Sequence, residues 1–218
     1  MGNIFRWDSP FMQKIAMVGN LIILNILFLL CSIPVFTIGA ATAAMYHTVF
    51  QYIDKVEDSV IKPFFQAFAK NFKQATLMWM PILLVGVVLL VALRYLFAWG
   101  GGILMWTVIP VVCVLYLMMQ PQLLPQIARF ETKITVAIQN AALLTILHMP
   151  SAFLMAALNI LPLAIILFAP VAFMQWLPLW VGIWFSLTAY MNGRMLLKIW
   201  KKHMPSEEET TEAEESEE

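Results

Sequence analysis

Between Lys133 and Arg194 the chain runs for 60 residues without an Asp, Glu, Lys or Arg. A lipid bilayer explains so long an uncharged segment, because a transmembrane helix needs about 20 mostly apolar residues. The segment predicts two membrane-spanning helices, and shorter uncharged stretches at 15–53, 74–93 and 95–128 predict the others. Composition agrees, since 61% of the residues are hydrophobic and 12% are charged, a balance that ordinary soluble domains do not have.

The pattern predicts an all-α fold, a polytopic membrane helix bundle of about five transmembrane helices in one membrane-embedded domain, residues 1–205. The predicted spans lie at about 17–45, 76–98, 103–124, 138–168 and 174–197. Aromatic and charged side chains are mixed within 4–15, which predicts an interfacial helix. The Glu-rich residues 206–218 hold no apolar side chain larger than Ala and predict a disordered acidic cytoplasmic tail.

The first apolar segment contains two interruptions, Ser32-Ile33-Pro34 and Gly39. It is therefore either one kinked span or a re-entrant hairpin, because proline cannot continue a uniform helix. Lys and Arg gather at 46–75, 125–135 and 194–202, which predicts a cytoplasmic location for those regions and for the C-terminus of a multi-pass plasma-membrane protein. Five spans, our working prediction, place the N-terminus outside, whereas a hairpin returns it to the cytoplasm.

The formal net charge of +0 hides an uneven distribution. Eight of the thirteen acidic residues lie in Glu207–Glu218, so residues 1–205 carry thirteen basic and five acidic residues, a balance of +8. Cytoplasmic loops account for such an excess, and we predict no nucleic-acid partner. Cys31 and Cys113 lie in apolar stretches and are interpreted as core residues, not as a disulfide or a metal pair.

Polar residues inside a membrane are the first place to look for function. A candidate intramembrane contact site or solute path comprises Asn20, Asn25, Pro34, Thr37, Gly39, Thr42 and His148. The alternative is that the polar members only hydrogen-bond between helices. The segment 63–73 has an amphipathic pattern and predicts a cytoplasmic partner surface, with membrane anchoring as the alternative. Its candidate contact residues are Phe65, Phe68, Lys70, Asn71, Phe72 and Lys73.

Enzymatic chemistry is not predicted. The sequence has no His-Glu-x-x-His pair, no Gly-x-Ser-x-Gly turn, no pair of membrane aspartates and no Gly-x-x-x-x-Gly-Lys phosphate loop. We therefore expect no catalytic residues, cofactor or metal, and any energy for transport would come from another subunit.

Three segments together resemble the YesL family of bacterial integral membrane proteins, which are grouped under a domain of unknown function. They are Ser32–Met45, Phe65–Ala75, and Leu177-Pro178-Leu179-Trp180 with Tyr190-Met191-Asn192. The resemblance covers most of residues 1–200 and leaves out the acidic tail. It implies a setting beside carbohydrate ABC transporters, and it brings no catalytic residues to carry over.

The leading hypothesis is a non-enzymatic accessory or assembly protein that works with a carbohydrate ABC-type uptake system and contacts its permease subunits. The alternative is a transporter or channel for a small solute or ion, acting alone or as a homo-oligomer. A third reading is a sensor that couples sugar status to a membrane kinase. Liposomes that contain only this protein would separate the second hypothesis from the first.

Overall fold

The structure, a computed structural model, describes residues 10–56, 59–130 and 133–203 of the 218-residue chain. All regular elements in those ranges are helical, which confirms the predicted all-α class. The α-helices are α1 (Pro10–Cys31), α2 (Ile38–Ile53), α3 (Ile61–Trp99), α4 (Ile103–Phe130), α5 (Ile134–Leu147), α6 (Met149–Phe168), α7 (Pro170–Gln175), α8 (Leu177–Leu179) and α9 (Phe185–His203). A 3-10 turn at Val35–Thr37 precedes α2, and a π-helical turn at Trp180–Trp184 precedes α9.

Four of the described helices are long and apolar enough to cross a membrane. These are Met12–Cys31, Ile61–Trp99, Ile103–Phe130 and Met149–Phe168, and Ile134–Leu147 is a shorter apolar helix. The predicted polytopic bundle is thus confirmed, while several predicted boundaries differ. The interfacial helix predicted at 4–15 lies partly outside the described residues, and its residues 10–15 are the first turns of α1. The acidic tail at 206–218 lies wholly outside them.

The interval 17–45 does not form one span. Helix α1 ends at Cys31 and α2 begins at Ile38, because Pro34 lacks an amide hydrogen and disfavours helical backbone in the residue before it. The Thr37 hydroxyl donates to the carbonyls of Cys31 and Pro34, each at 2.6 Å. The Trp79 indole donates to the Val35 carbonyl at 2.9 Å. Side chains therefore satisfy backbone groups that the break exposes.

Helices α1 and α2 form an antiparallel hairpin. The short break joins the end of α1 to the start of α2, and at the far end Met12 and Ala16 of α1 line the same cleft as Tyr52 and Ile53 of α2. The structure therefore has the hairpin arrangement and not a single crossing over 17–45. This arrangement places the start of α1 at the same end of the bundle as the end of α2.

Helix α2 occupies the centre of the bundle and packs against α1, α3, α4 and α9. Its residues Ala40, Ala41, Ala43 and Ala44 have no exposed surface, so their small side chains allow neighbouring helices to approach closely. The closest approach is at Gly39, where an added Cβ would overlap the Cβ of Trp79 and lie 2.7 Å from the Ala75 carbonyl oxygen. Only glycine fits between α2 and α3 at that point.

The helix α3 has 39 residues, which makes it about 58 Å long at 1.5 Å per residue. That is roughly twice the 30 Å hydrocarbon thickness, so part of α3 extends beyond the hydrocarbon. Its first half packs on α2 through Phe64, Ala67, Ala75 and Met78, all nearly fully buried. Its second half turns at Gly100, with φ of 73°, into α4. We call residues 83–117 the membrane hairpin.

The remaining two predicted spans are also divided. The interval 138–168 bends at His148, where α5 ends and α6 begins with Pro150 in its first turn. The interval 174–197 consists of α7, α8, the π-helical turn and the first part of α9. The last helix is not among the four long apolar ones, because its second half carries Arg194 and three lysines.

One end of the bundle is strongly basic. The Asp54 carboxylate at the end of α2 binds Arg129 of α4 at 2.6 Å, and Phe130 contacts Trp200 of α9 with ring centroids 4.8 Å apart. These contacts gather the start of α1, the end of α2, the end of α4 and the end of α9 into what we call the basic end. Asp54 is the only acidic side chain among the described residues, so most lysines and arginines there have no carboxylate partner within that part of the chain.

Candidate functional site

Asn25, a predicted path residue, is fully buried between α1 and the π-helical turn. Its Nδ2 donates to the carbonyls of Val181 at 2.6 Å and Trp180 at 3.3 Å, and its Oδ1 accepts from the Ser186 amide at 3.0 Å. The Ser186 hydroxyl donates back to the Leu21 carbonyl at 2.7 Å. A π-helical turn leaves backbone groups outside the regular α-helical ladder, and Asn25 satisfies three of them. It thus joins α1 to α9.

The residues of the break also contact the chain itself. Thr37 is buried and bonds back to Cys31 and Pro34, and the Thr42 hydroxyl donates to the Ile38 carbonyl at 2.7 Å. Gly39 is in contact with α3. The small residues at 40–44, whose size would let another helix approach closely, are covered by helices of the same chain. This region therefore offers no exposed contact surface except at the loop residues Ile33 to Phe36.

The other two path candidates lie elsewhere. Asn20 lines an open cleft at the basic end, together with residues of α2 and α9. His148 is half-buried at the joint of α5 and α6, two helices that pack on α4. The seven candidates are thus divided among the Asn25 contact, the break, the cleft and the α5–α6 joint. They do not line one path within a single copy of the described chain.

The predicted partner surface on α3 is mostly exposed. Phe65 is 48% exposed, Phe72 is 36% exposed, and Phe68 between them is half-buried with its ring centroid 5.4 Å from that of Phe72. Lys70 and Lys73 are also exposed, and helical spacing places them further around the helix than the three rings, Lys70 furthest. The prediction is wrong for Asn71, which is 6% exposed and faces the core on the same side as Phe64. We call Phe65, Phe68, Lys70, Phe72 and Lys73 the Phe–Lys face.

Two buried glutamines on α4 were not predicted. Gln122 and Gln126 are 1% and 2% exposed, and the Gln122 amide donates to the Thr145 hydroxyl of α5 at 2.7 Å. Thr145 in turn donates to the Ala141 carbonyl. The signal in the sequence is the segment Gln120-Pro121-Gln122-Leu123-Leu124-Pro125-Gln126, where Gln122 and Gln126 lie four apart in an uncharged stretch. This spacing puts Gln122 and Gln126 on one face.

The described residues contain no group of three or more His, Cys, Asp or Glu that could hold a metal ion. Cys31 and Cys113 are both unbridged and half-buried. The geometry therefore assembles helix contacts and surfaces within the described chain, and it assembles no constellation with evident chemistry.

The comparisons with known proteins gave one family match. Neither the curated proteins nor the solved structures contain a match to this chain. The family match spans α1 from Leu21, the break, α2 and most of α3, which is about a third of the chain. It fits the expectation of a family of unknown function, while the narrower YesL resemblance stays a prediction. Residues 21–93 match the model of a family described as protein of unknown function, DUF624.

Proposed function

We propose that this chain is a non-enzymatic multi-pass membrane protein that works as an accessory or assembly component of a larger membrane complex. The observation that carries the proposal is a contrast within the bundle. Four residues of the predicted path are occupied by contacts within the chain, namely Asn25, Thr37, Gly39 and Thr42. In contrast, most of the described helices expose apolar side chains, and two of these exposed surfaces support a role in association.

The first surface is the membrane hairpin. The side chains of its two helices are almost all apolar, and few of them are buried. Exposure exceeds 60% at Leu84, Leu90, Val91 and Phe97 of α3. Lipid tails cover such a surface, and so do the helices of another membrane protein, since apolar side chains pack equally well against either. A hairpin with so little intrachain contact supports a role in association more than a role in enclosing a path.

The second surface is the Phe–Lys face. Two exposed aromatic rings, with Lys70 and Lys73 exposed on the adjoining side of the same helix, suit a partner that offers both apolar and acidic groups. Aromatic residues supply much of the energy at the centre of protein interfaces, and flanking charges set specificity. The resemblance to YesL proteins suggests carbohydrate ABC-transporter permease subunits as the class of partner to test first.

Affinity purification of the tagged protein from its native membrane in mild detergent tests the proposal. We expect a permease subunit at near-stoichiometric amount, measured by mass spectrometry against an untagged control. The double variant Phe65→Ser and Phe72→Ser should lose that partner. A matched variant, Val136→Ser and Ile138→Ser, alters two exposed apolar residues of α5 outside the face and should retain it.

Recovery of this chain alone, as a defined oligomer, would contradict the proposal in this form. It would favour the alternative function, conduction of a small solute or ion by a homo-oligomer in which the membrane hairpins of several copies enclose the path. Flux into liposomes that contain only this protein then measures that activity directly.

A further inference from the structure

An open cleft of about 830 Å³ lies at the basic end, between the first turns of α1, the end of α2 and the middle of α9. Its size is within the range of about 300–1,000 Å³ that ligand pockets occupy. Two cations, Lys55 and Arg194, are part of its lining, as are the aromatic side chains of Tyr52 and Tyr190. The predicted path and the Phe–Lys face share only Asn20 with it, so the proposed function leaves this cleft unexplained.

The lining is divided between polar and apolar groups. The Arg194 guanidinium lies 5.9 Å from the centroid of the Tyr190 ring, and this contact orients an otherwise flexible side chain. Ile15 and Ala16 of α1 supply exposed apolar surface on the other side of the cleft. Cations next to an apolar wall, at the first turns of a helix apolar enough to cross a membrane, suit an anionic amphiphile.

The backbone at Lys55 provides an independent argument. Two backbone hydrogen bonds end helix α2. The Lys55 amide donates to the Tyr52 carbonyl at 3.3 Å, and the Val56 amide donates to the Gln51 carbonyl at 3.0 Å. This pair of bonds is the Schellman arrangement, whose left-handed position is usually glycine. Here that position is Lys55, with φ of 57°. A side chain at such a position is strained, and strained residues concentrate where function requires them.

We propose that this cleft binds the phosphate headgroup of an acidic phospholipid, with Lys55 and Arg194 on the phosphate and Ile15 and Ala16 against the start of the acyl chain. The inference goes beyond the proposed function and does not depend on it. Among the described residues the basic end carries an excess of positive charge, which draws anionic lipid toward that surface, and the cleft then selects one molecule from it.

Equilibrium binding of a fluorescent phosphatidylglycerol to the full-length protein in nonionic detergent tests the site. The double variant Lys55→Gly and Arg194→Gln removes both cations of the cleft, and we expect its affinity to fall about tenfold or more, as loss of charge-assisted contacts does. The matched variant Lys133→Gln and Lys201→Gln removes two exposed cations outside the cleft and should bind within threefold of the unaltered protein. Equal loss in both variants would overturn the site in favour of diffuse attraction.

Two further variants keep the test independent of folding. Lys55→Gly alone should raise the unfolding temperature, because glycine relieves the left-handed strain, while it weakens lipid binding. Ala16→Phe fills the cleft without changing charge, and Ile23→Phe places the same ring at an exposed α1 position outside it. Unchanged phosphatidylglycerol binding by Ala16→Phe would overturn the proposal.

Displacement of the fluorescent lipid by competitors tests whether the bound phosphate belongs to a lipid or to a soluble phosphate ester. Phosphatidylcholine with the same acyl chains should displace the probe at least tenfold less well than unlabelled phosphatidylglycerol. Soluble glycerol phosphate should not displace it at comparable concentration. Displacement by glycerol phosphate would overturn the lipid assignment and identify a site for a free phosphate ester, and equal displacement by phosphatidylcholine would overturn the role of charge.

Discussion

The replacement Gly39→Ala tests the central packing of the bundle. The added Cβ would overlap the Trp79 Cβ, and it would lie 2.7 Å from the Ala75 carbonyl oxygen and 3.0 Å from the Trp79 Cγ. Ordinary carbon contacts lie at about 3.5–4.0 Å, so α2 and α3 must separate by roughly 1 Å. Two of these three contacts are to backbone or Cβ atoms, which cannot move aside by rotating a side chain.

The magnitude follows from two opposing contributions. Overpacking a close-packed core costs about 1–3 kcal/mol. Alanine is better than glycine inside a helix by about 0.5–1 kcal/mol, which offsets part of that cost. We therefore expect a net loss of about 1–2 kcal/mol, or a fall of roughly 2–8 °C in the unfolding temperature for a chain of this size.

Thermal unfolding in one detergent, followed by tryptophan fluorescence at a fixed scan rate, measures this loss, because membrane-protein unfolding is commonly irreversible. Gly19→Ala is the matched control. It lies inside α1, and an added Cβ there meets nothing within 4 Å, so its stability should stay equal or rise slightly. Trp79→Ala should not rescue Gly39→Ala, because alanine retains the overlapping Cβ. An unfolding temperature for Gly39→Ala equal to that of Gly19→Ala would refute the close approach of α2 and α3.

Three further predictions concern hydrogen bonds, charge and orientation. Asn25→Leu should destabilise the protein by about 2–5 kcal/mol, because it leaves backbone groups of the π-helical turn unsatisfied in an apolar core. Asp54→Asn should cost less than about 1 kcal/mol, since its ion pair with Arg129 is one-third exposed, and the difference should shrink in high salt. In a variant without native cysteines, cysteines at positions 14 and 201 should react with an impermeant reagent from one side of the membrane, and a cysteine at Gly102 from the other.

Each of these three predictions has an outcome that would contradict it. Among the described residues, Asn159 bonds to the Met155 carbonyl of its own helix at 2.7 Å, so Asn159→Leu should be nearly neutral. If Asn25→Leu is equally neutral, the contact between α1 and the π-helical turn is not as described. A large, salt-independent loss for Asp54→Asn would show that the pair is more buried than its exposure indicates. Labelling of positions 14 and 201 from opposite sides would restore the single crossing over 17–45.

Much of the architecture could be predicted from local pattern. The uncharged stretches identified the membrane class, and the predicted gap between the spans 76–98 and 103–124 coincides with the turn between α3 and α4. The Phe–Lys face was predicted except for Asn71. Asn71 was included in the predicted surface, but helical spacing from Phe64 and Ala67 places it on their buried side of α3.

The sequence left one choice open that tertiary contacts decided. Ser32-Ile33-Pro34 could bend one span or end it, since proline requires only that the regular helix stop. The deciding features are the burial of the 40–44 alanines among the neighbouring helices and the close approach of Gly39 to α3, which hold α2 back beside α1. Counting basic residues could not reveal this fit, because it depends on side chains of two separate helices.

By itself the sequence determined that the chain is helical and membrane-embedded. Hydrophobicity over about 20 consecutive residues is a local property, and it is enough to favour a helix that spans the bilayer. Only the tertiary structure decided what the polar residues do. Asn25 forms hydrogen bonds with backbone groups at 180–186, more than 150 positions away, and Lys55 and Arg194 line the same cleft. Contacts between distant residues arise from packing, and the pattern of either partner alone carries no record of the other.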